Sequence, residues 1–306
     1  MSIFNASRLL GKTVLITGAS AGIGAVRLLD TRTLIYRLSL TITPPFFRQA
    51  TAILFAKGGS NLILLARRVD QLEKVAEAAS AAHKASGVQQ DVRIVTVQLD
   101  VSDRAQVAAL WSKIPQELRN VDILVNNAGS AHGVDRVGDI LDSDIDAMFA
   151  TNVLGLISLT QLLVKERAFS PTRAIDFKDR NAGHVINLGS IAGRESYTGG
   201  GVYCATKAAV RAFTGSLLRE VVNTPIRVTE IQPGMVETEF STVRFRGDKS
   251  AADKVYDGLQ PLTAEDIAEE IVWAATRPPH VNIAELYVLP VNQASPTLAF
   301  RGGSSK

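Results

Sequence analysis

The chain is most easily bounded by what it lacks. It has one cysteine, Cys204, in 306 residues, so no intrachain disulfide can form, which suits a reducing compartment. It has no run of roughly 18 uncharged apolar residues, so no transmembrane helix and no membrane partner are expected. The opening SIFNASRLLGK has no apolar h-region of a secretory signal, and the cytoplasm is the expected location. No block of like charge appears: 33 Lys and Arg are interspersed with 30 Asp and Glu, for a net charge of +3. That is a mildly basic surface rather than a nucleic-acid-binding one. The four histidines have no metal-ligand spacing, so no metal is expected.

What is present is a globular composition, 46% hydrophobic and 21% charged, long enough to bury a large core. Short β-branched runs alternate with Ala/Leu/Glu/Lys-rich stretches. TVLITGAS, NLILLARR, VRIVTVQLD, VDILVNNAG, HVINLGS, IRVTEIQPG and ELYVLPV read as strands that are apolar nearly throughout, as strands buried on both faces are. Helices are expected over 68–86, 103–117, 143–166, 200–222 and 263–276. This alternation predicts right-handed βαβ units and an α/β fold: a doubly wound, mostly parallel, seven-stranded Rossmann-type sheet with helices on both faces. No repeat or low-complexity linker divides residues 1–306, so a single domain is expected. Two segments, about 26–49 and 167–176, fit neither periodicity.

Three constellations carry chemistry. Gly18, Gly22 and Gly24 follow the first strand, where glycines let a pyrophosphate approach the backbone at a helix N-terminus. Alone this turn is weak evidence, being also a plain strand-to-helix connection; after the first strand of a βαβ series it points to a dinucleotide. The second strand ends in Ala66, Arg67 and Arg68. A carboxylate there would bind a ribose 2′-hydroxyl, whereas a guanidinium binds a 2′-phosphate, so NADP is favoured over NAD. In GSIAGRESYTGGGVYCATK, Tyr203 and Lys207 lie one helical turn apart, with Ser190 upstream at a strand end. A phenol ionises too high to serve as an acid or base at neutral pH. An ammonium one turn away is expected to lower it, with the serine holding the reacting oxygen.

With these residues in view, the chain resembles the short-chain dehydrogenase/reductase family along nearly its whole length. TGASAGIG, LDV (99–101), NNAG (126–129), Asn152-Val153, the Ser…Tyr-x-x-x-Lys set and Pro233-Gly234 carry the likeness. The resemblance implies a catalytic tetrad of Asn152, Ser190, Tyr203 and Lys207, with Asn152 helping to hold a water of a proton relay. It implies that Ser20 and Ile23 bind the cofactor together with the turn glycines Gly18, Gly22 and Gly24, and that Asp100 and Val101 flank the adenine. Asn126, Ala128 and Gly129 are implied to line the cofactor, Tyr203, Lys207, Pro233, Gly234 and Val236 to contact it as well, and Thr238 to sit by the nicotinamide carboxamide. Within the family, ARRVDQLEKV, GRESYTGGGVYCATKAAV and PGMVETEFSTVRFRGD resemble the NADP-dependent 3-hydroxy acid dehydrogenases, which oxidise serine, allo-threonine and related acids. A 3-oxoacyl thioester or general carbonyl reductase is the alternative. The resemblance also implies a homotetramer packed through helices 143–166 and 200–222.

Other residues carry plainer expectations. Cys204 is expected to be a small packing residue rather than a reactive thiol. Arg194, Arg244 and Arg246 flank the expected site, and one of them is a candidate for a substrate carboxylate. Deleting residues 26–49 gives TGASAGIGAATAILFAKGG, an uninterrupted strand, turn and helix, and deleting about ten residues after Glu166 likewise joins LLVKE to FKDRNAGHVINLGS. Both segments are consistent with translated introns: codons beginning GT can encode Val26, the Gln49 codon can be CAG, and GT also fits within an arginine codon. A genuine insertion is the alternative. The first segment is expected to be poorly ordered and to weaken cofactor binding, because Pro44 and Pro45 rule out one continuous helix through it. A catalytically impaired product is therefore the third functional alternative.

Overall fold

The computed structural model describes residues 6–19, 47–164 and 182–302. Within them all seven expected strands form: β1 (Thr13–Thr17), β2 (Asn61–Ala66), β3 (Ile94–Gln98), β4 (Ile123–Asn126), β5 (Gly183–Leu188), β6 (Ile226–Pro233) and β7 (Glu285–Val288). They make one sheet in the order β3-β2-β1-β4-β5-β6-β7, and every neighbouring pair is parallel. The helices are α1 (Phe47–Lys57), α2 (Val69–Ser86), α3 (Arg104–Ala108), α4 (Asp142–Phe149), α5 (Leu156–Val164), α6 (Gly201–Glu220), α7 (Glu239–Arg244), α8 (Lys249–Lys254) and α9 (Ala264–Ala275).

The unbroken apolar strands follow from burial on both faces. Val14, Ile16, Leu62 and Leu64 point to one side, where they pack with Phe55 of α1, Leu72 of α2 and Ile267 and Ile271 of α9. Leu15, Ile63, Leu65 and Leu124 point to the other, against Leu159 and Leu163 of α5 and Leu217 of α6. A strand alternates its side chains between faces, so two covered faces require apolar residues at successive positions.

Local chemistry sets the helix ends. Thr263 caps α9 in a reciprocal capping box with Asp266. Gly87 at φ 73° closes α2. The expected helix 103–117 is instead split: α3 starts at the Asp103 cap, a 3₁₀ turn covers Leu110–Lys113, and Ile114 is extended at φ −103°, ψ 130°. Pro115 accounts for the extended Ile114, since a proline drives the preceding residue out of the helical region. The expected helix 143–166 is interrupted by a π-helical turn, Ala150–Gly155, between α4 and α5. Residues 142–164 are long and apolar enough, by length and composition alone, to cross a membrane. However, 56% of their most apolar window is buried, and Leu159, Leu162 and Leu163 belong to the core.

Helix α1 starts at Phe47 rather than Ala50, so the last three residues of the 26–49 segment are helical. Ala50, Thr51, Ala52, Phe55 and Ala56 are buried, and the ATAILFAK stretch packs on the sheet as expected. The remainder of 26–49, the 167–176 segment, and Ser20, Gly22, Ile23 and Gly24 of the glycine turn lie outside the described residues.

Candidate active site

Strand order reverses between β1 and β4, whose carboxyl ends therefore open a crevice, the usual ligand position of such sheets. Gly18 leaves β1 at φ 65°, a conformation that favours glycine. Thr17 fixes the neighbouring β4 end: its Oγ1 accepts from the N–H groups of Asn127 and Ala128, both at 2.9 Å. Its carbonyl accepts from Asn127 Nδ2 at 3.0 Å. Asn126 turns its side chain inward, donating to Thr160 Oγ1 and Asn187 Oδ1 at 2.9 Å each, so its amide braces the sheet instead of reaching into the crevice. Gly129 lies over Asn152 and Lys207. A Cβ there would stand 3.3 Å from Asn152 Oδ1 and 3.7 Å from Lys207 Nζ.

The four residues of the expected tetrad converge from three elements. Asn152 sits in the π-helical turn, fully buried. Its Oδ1 accepts from Ser130 N at 2.8 Å, and its Nδ2 donates to Ser130 O at 2.8 Å and Thr206 Oγ1 at 3.1 Å. Both ends of its amide are thus fixed, and the side chain ties the β4 loop to α6. Ser190 follows β5 in an extended conformation, its Oγ accepting from Ala192 N at 3.1 Å. Lys207 is buried on α6 and donates from Nζ to Leu188 O at 2.7 Å. Its Nζ lies 5.8 Å from the centre of the Tyr203 ring.

The Tyr203 phenol does not show the lowered pKa expected from its lysine. Burial pushes it above the ordinary tyrosine value, Tyr197 adds to the rise, and the hydrogen bond with Ser190 and the charge of Arg244 oppose it. Desolvation outweighs the favourable charges here. Cys204, next in sequence, is buried, and its thiol is pushed up mainly by burial, as befits a packing residue.

Helix α7, absent from the sequence reading, covers this site. Thr238 caps it, accepting from Phe240 N at 3.2 Å. Phe240 lies against Tyr203 with ring centres 5.3 Å apart. One turn on, Arg244 stacks 5.2 Å from the Tyr197 ring centre and donates to Tyr197 Oη at 2.8 Å and Gly199 O at 3.1 Å. Its buried Nε has no partner among the described residues. The other two candidate arginines are committed elsewhere. Arg194 bonds Gln232 and Glu285 and stacks on Tyr287, while Arg246 pairs with Asp135 at 2.9 Å and Asp144 at 2.8 Å. Nearby, Val236 O accepts from Tyr256 Oη at 2.9 Å, and Gly234, after Pro233, closes on Val288 O at 2.8 Å.

At the far edge, Arg67, Gln98, Asp100, Gln106 and Lys113 line a cavity of about 470 Å³. Arg67 Nη1 is 3.9 Å from Asp100 Oδ2. Asp100 also accepts from Ser102 N at 3.0 Å and Ser102 Oγ at 2.7 Å. Arg68 occupies the N-cap position of α2 without a side-chain cap bond, and Val101 is buried under α5.

Comparison with known proteins agrees with this geometry. A family profile described as short chain dehydrogenase matches residues 48–249, beginning past the glycine turn and most of the 26–49 segment. A Schizosaccharomyces pombe protein named NADP-dependent 3-hydroxy acid dehydrogenase is 42% identical over 296 residues, spanning 96% of this chain and 98% of the relative. An Escherichia coli (strain K12) protein of the same activity name is 37% identical over 282 residues, spanning 92% of this chain and 96% of its own. The solved closed form of a serine dehydrogenase complexed with NADP+ matches with a TM-score of 0.76 and 34% identity, over 95% of this chain and 100% of that one.

Proposed function

The chain belongs to the short-chain dehydrogenase family, and from that premise we propose that it is an NADP-dependent oxidoreductase that interconverts a short 3-hydroxy acid and its 3-oxo partner. The residues present fit a dinucleotide. At the β1/β4 reversal Gly18 leaves β1 at positive φ and Gly129 follows β4, and the cavity at the β2 and β3 ends offers Arg67 and Lys113 to a 2′-phosphate, with Arg68 next in sequence to Arg67. The chemistry expected of bound NADP is hydride acceptance or donation at the nicotinamide.

The protein's own groups handle the proton and the substrate. In the oxidative direction Tyr203 Oη takes the hydroxyl proton, while Ser190 Oγ holds the same oxygen. Lys207 favours the phenolate that must form, and Asn152 locks the β4 loop onto α6 so that the three side chains keep their spacing. The observation that carries the substrate class is Arg244. Its guanidinium is close enough to influence Tyr203, it is braced by Tyr197, and it keeps one buried donor unused. A carboxylate β to the reacting carbon would use that donor and gain a charge-assisted bond.

The test is NADP-linked oxidation of serine and allo-threonine beside their methyl esters. Arg244→Gln is expected to raise KM for the acids by about 10- to 100-fold, the roughly 1.5–3 kcal/mol of a hydrogen bond to a charged group. It should leave the esters little changed. Equal losses for acids and esters would remove Arg244 from carboxylate recognition. The proposal extends to a single cytoplasmic domain that assembles as a homotetramer through residues 142–164 and α6, which sedimentation of the purified chain would check.

A further inference from the structure

A row of polar residues crosses the carboxyl half of the sheet in one register. Asn126 of β4 pairs with Asn187 of β5, Asn187 with Glu230 of β6, and Glu230 with Glu285 of β7. The row faces α5 and α6. Asn126 donates to Thr160 and Asn187, and Asn187 donates to Thr214 Oγ1, all at 2.9 Å. At the outer end Glu285 pairs with Arg194 and Arg211. Glu230 is the exception. It is 1% exposed, and its Oε1 has no hydrogen-bond partner among the described residues, nor has the adjacent Gln232 Nε2. The carboxyl is pressed against Gly189, the residue before Ser190; a Cβ on Gly189 would stand 2.1 Å from Glu230 Oε1. Lys207 donates to the carbonyl of Leu188, one residue further back.

We propose that Glu230 is a positioning residue of the active site, a buried proton-binding carboxyl behind Ser190 that sets how much of the Lys207 charge reaches Tyr203. This rests on the functional reading above. The groups that bear on Glu230 are Gln232 on its own strand, Glu285 on β7, and Lys207 and Arg211 on α6, with Arg194 reaching it through Gln232 and Glu285. Burial is the largest influence, and it pushes the carboxyl up to about 7. A buried acid titrating there is neutral in mildly acidic solution and charged in mildly basic solution. When ionised, it offsets the Lys207 ammonium and makes the Tyr203 phenolate harder to form. When protonated, it no longer offsets that charge.

The sign for stability follows from the same shift. The folded carboxyl keeps its proton up to about pH 7, whereas its ordinary value is 4.5. The folded state therefore binds more protons in that window, and stability falls as pH rises through it. Glu230→Gln is nearly isosteric and is expected to abolish that fall.

Two measurements test the proposal. The first is a double-mutant cycle of Glu230→Gln and Lys207→Met, read by denaturant unfolding at about pH 8 and about pH 5. Coupling should appear at the higher pH and vanish at the lower. If Lys207→Met does not fold, the Lys207 13Cε signal is followed by NMR instead, and it should step near neutral pH in the wild type but not in Glu230→Gln. The second is the pH profile of kcat/KM for hydroxy-acid oxidation, whose acidic limb should move down by about half a unit or more in Glu230→Gln. Glu230→Asp should retain the wild-type limb. Coupling that is absent or unchanged with pH, or superimposable pH profiles, would overturn the proposal. A wild-type chain that oxidises no 3-hydroxy acid would sink the functional reading, and the stability cycle or the NMR step would still decide the Glu230–Lys207 pairing.

Discussion

The two halves of the crevice are built to different standards. On the β4–β6 side each group proposed to react is braced. Asn152 spends both ends of its amide, Lys207 is tied to Leu188 O, Ser190 is held by the turn that follows it, and Phe240 closes on Tyr203. On the β2–β3 side, Arg67 is 76% exposed and its nearest anion, Asp100, is 3.9 Å away. The difference suits the two tasks proposed for them. Acid–base chemistry depends on atoms held within a fraction of an ångström, whereas a phosphate can be met by a mobile cation at little cost in geometry. Mutations on the braced side should therefore reduce turnover, and those on the open side should change affinity and cofactor choice.

The largest break in that comparison is Tyr203→Phe. The ring still packs on Phe240, but the proton-carrying oxygen is gone, so kcat should fall by about a thousandfold or more, roughly 4 kcal/mol of transition-state stabilisation. NADPH affinity, measured by fluorescence titration, should barely move. Turnover near that of the wild type would remove Tyr203 from the chemistry.

How much of this was legible in the sequence follows the same division. The seven strands were readable because burial on both faces forces continuous apolar runs, and the Tyr203–Lys207 pair because one helical turn fixes its spacing. The break at Ile114–Pro115 was written in the chain, yet the apolar pattern on either side masked it. Helices α7 and α8 were missed because each is a short segment whose only strong local signal is its cap, Thr238 or Asp248. The π-helical turn at Asn152 has no periodic signature. Tyr197 and Arg244 meet across 47 residues of sequence, and Glu230 meets the site only through strand register. Contacts of that kind are set by the folded sheet, so no local pattern records them.

Removing residues 26–49 sharpens the comparison from the cofactor side. Ala25 would then join Ala50, whose helix already packs against β1 and β2. The glycine turn would lead directly into the N–H groups and positive end of that helix. NADPH affinity should rise at least tenfold, about 1.4 kcal/mol. Equal affinity with and without the segment would make it a neutral loop.

The smallest effect belongs to Arg67→Ala. A hydrogen bond to a charged phosphate would be expected to contribute about 1.5–3 kcal/mol. The structure lowers that expectation. Arg67 is largely solvated, and solvent screening reduces an exposed ion pair to about 0.2–1 kcal/mol. Its carboxylate neighbour Asp100 also competes for the guanidinium, and Lys113, lining the same cavity, supplies a second cation. The loss should be about 1 kcal/mol, or roughly fivefold, for NADPH and close to nothing for NADH, because only NADPH carries the 2′-phosphate. It should shrink further as salt is raised, since a contact in open solvent is screened over about 10 Å at 0.1 M. An equal loss for both cofactors would make Arg67 a structural residue at the end of β2. A salt-independent loss would mean that the arginine is buried against its ligand, and the open side of the crevice would then be as closely built as the other.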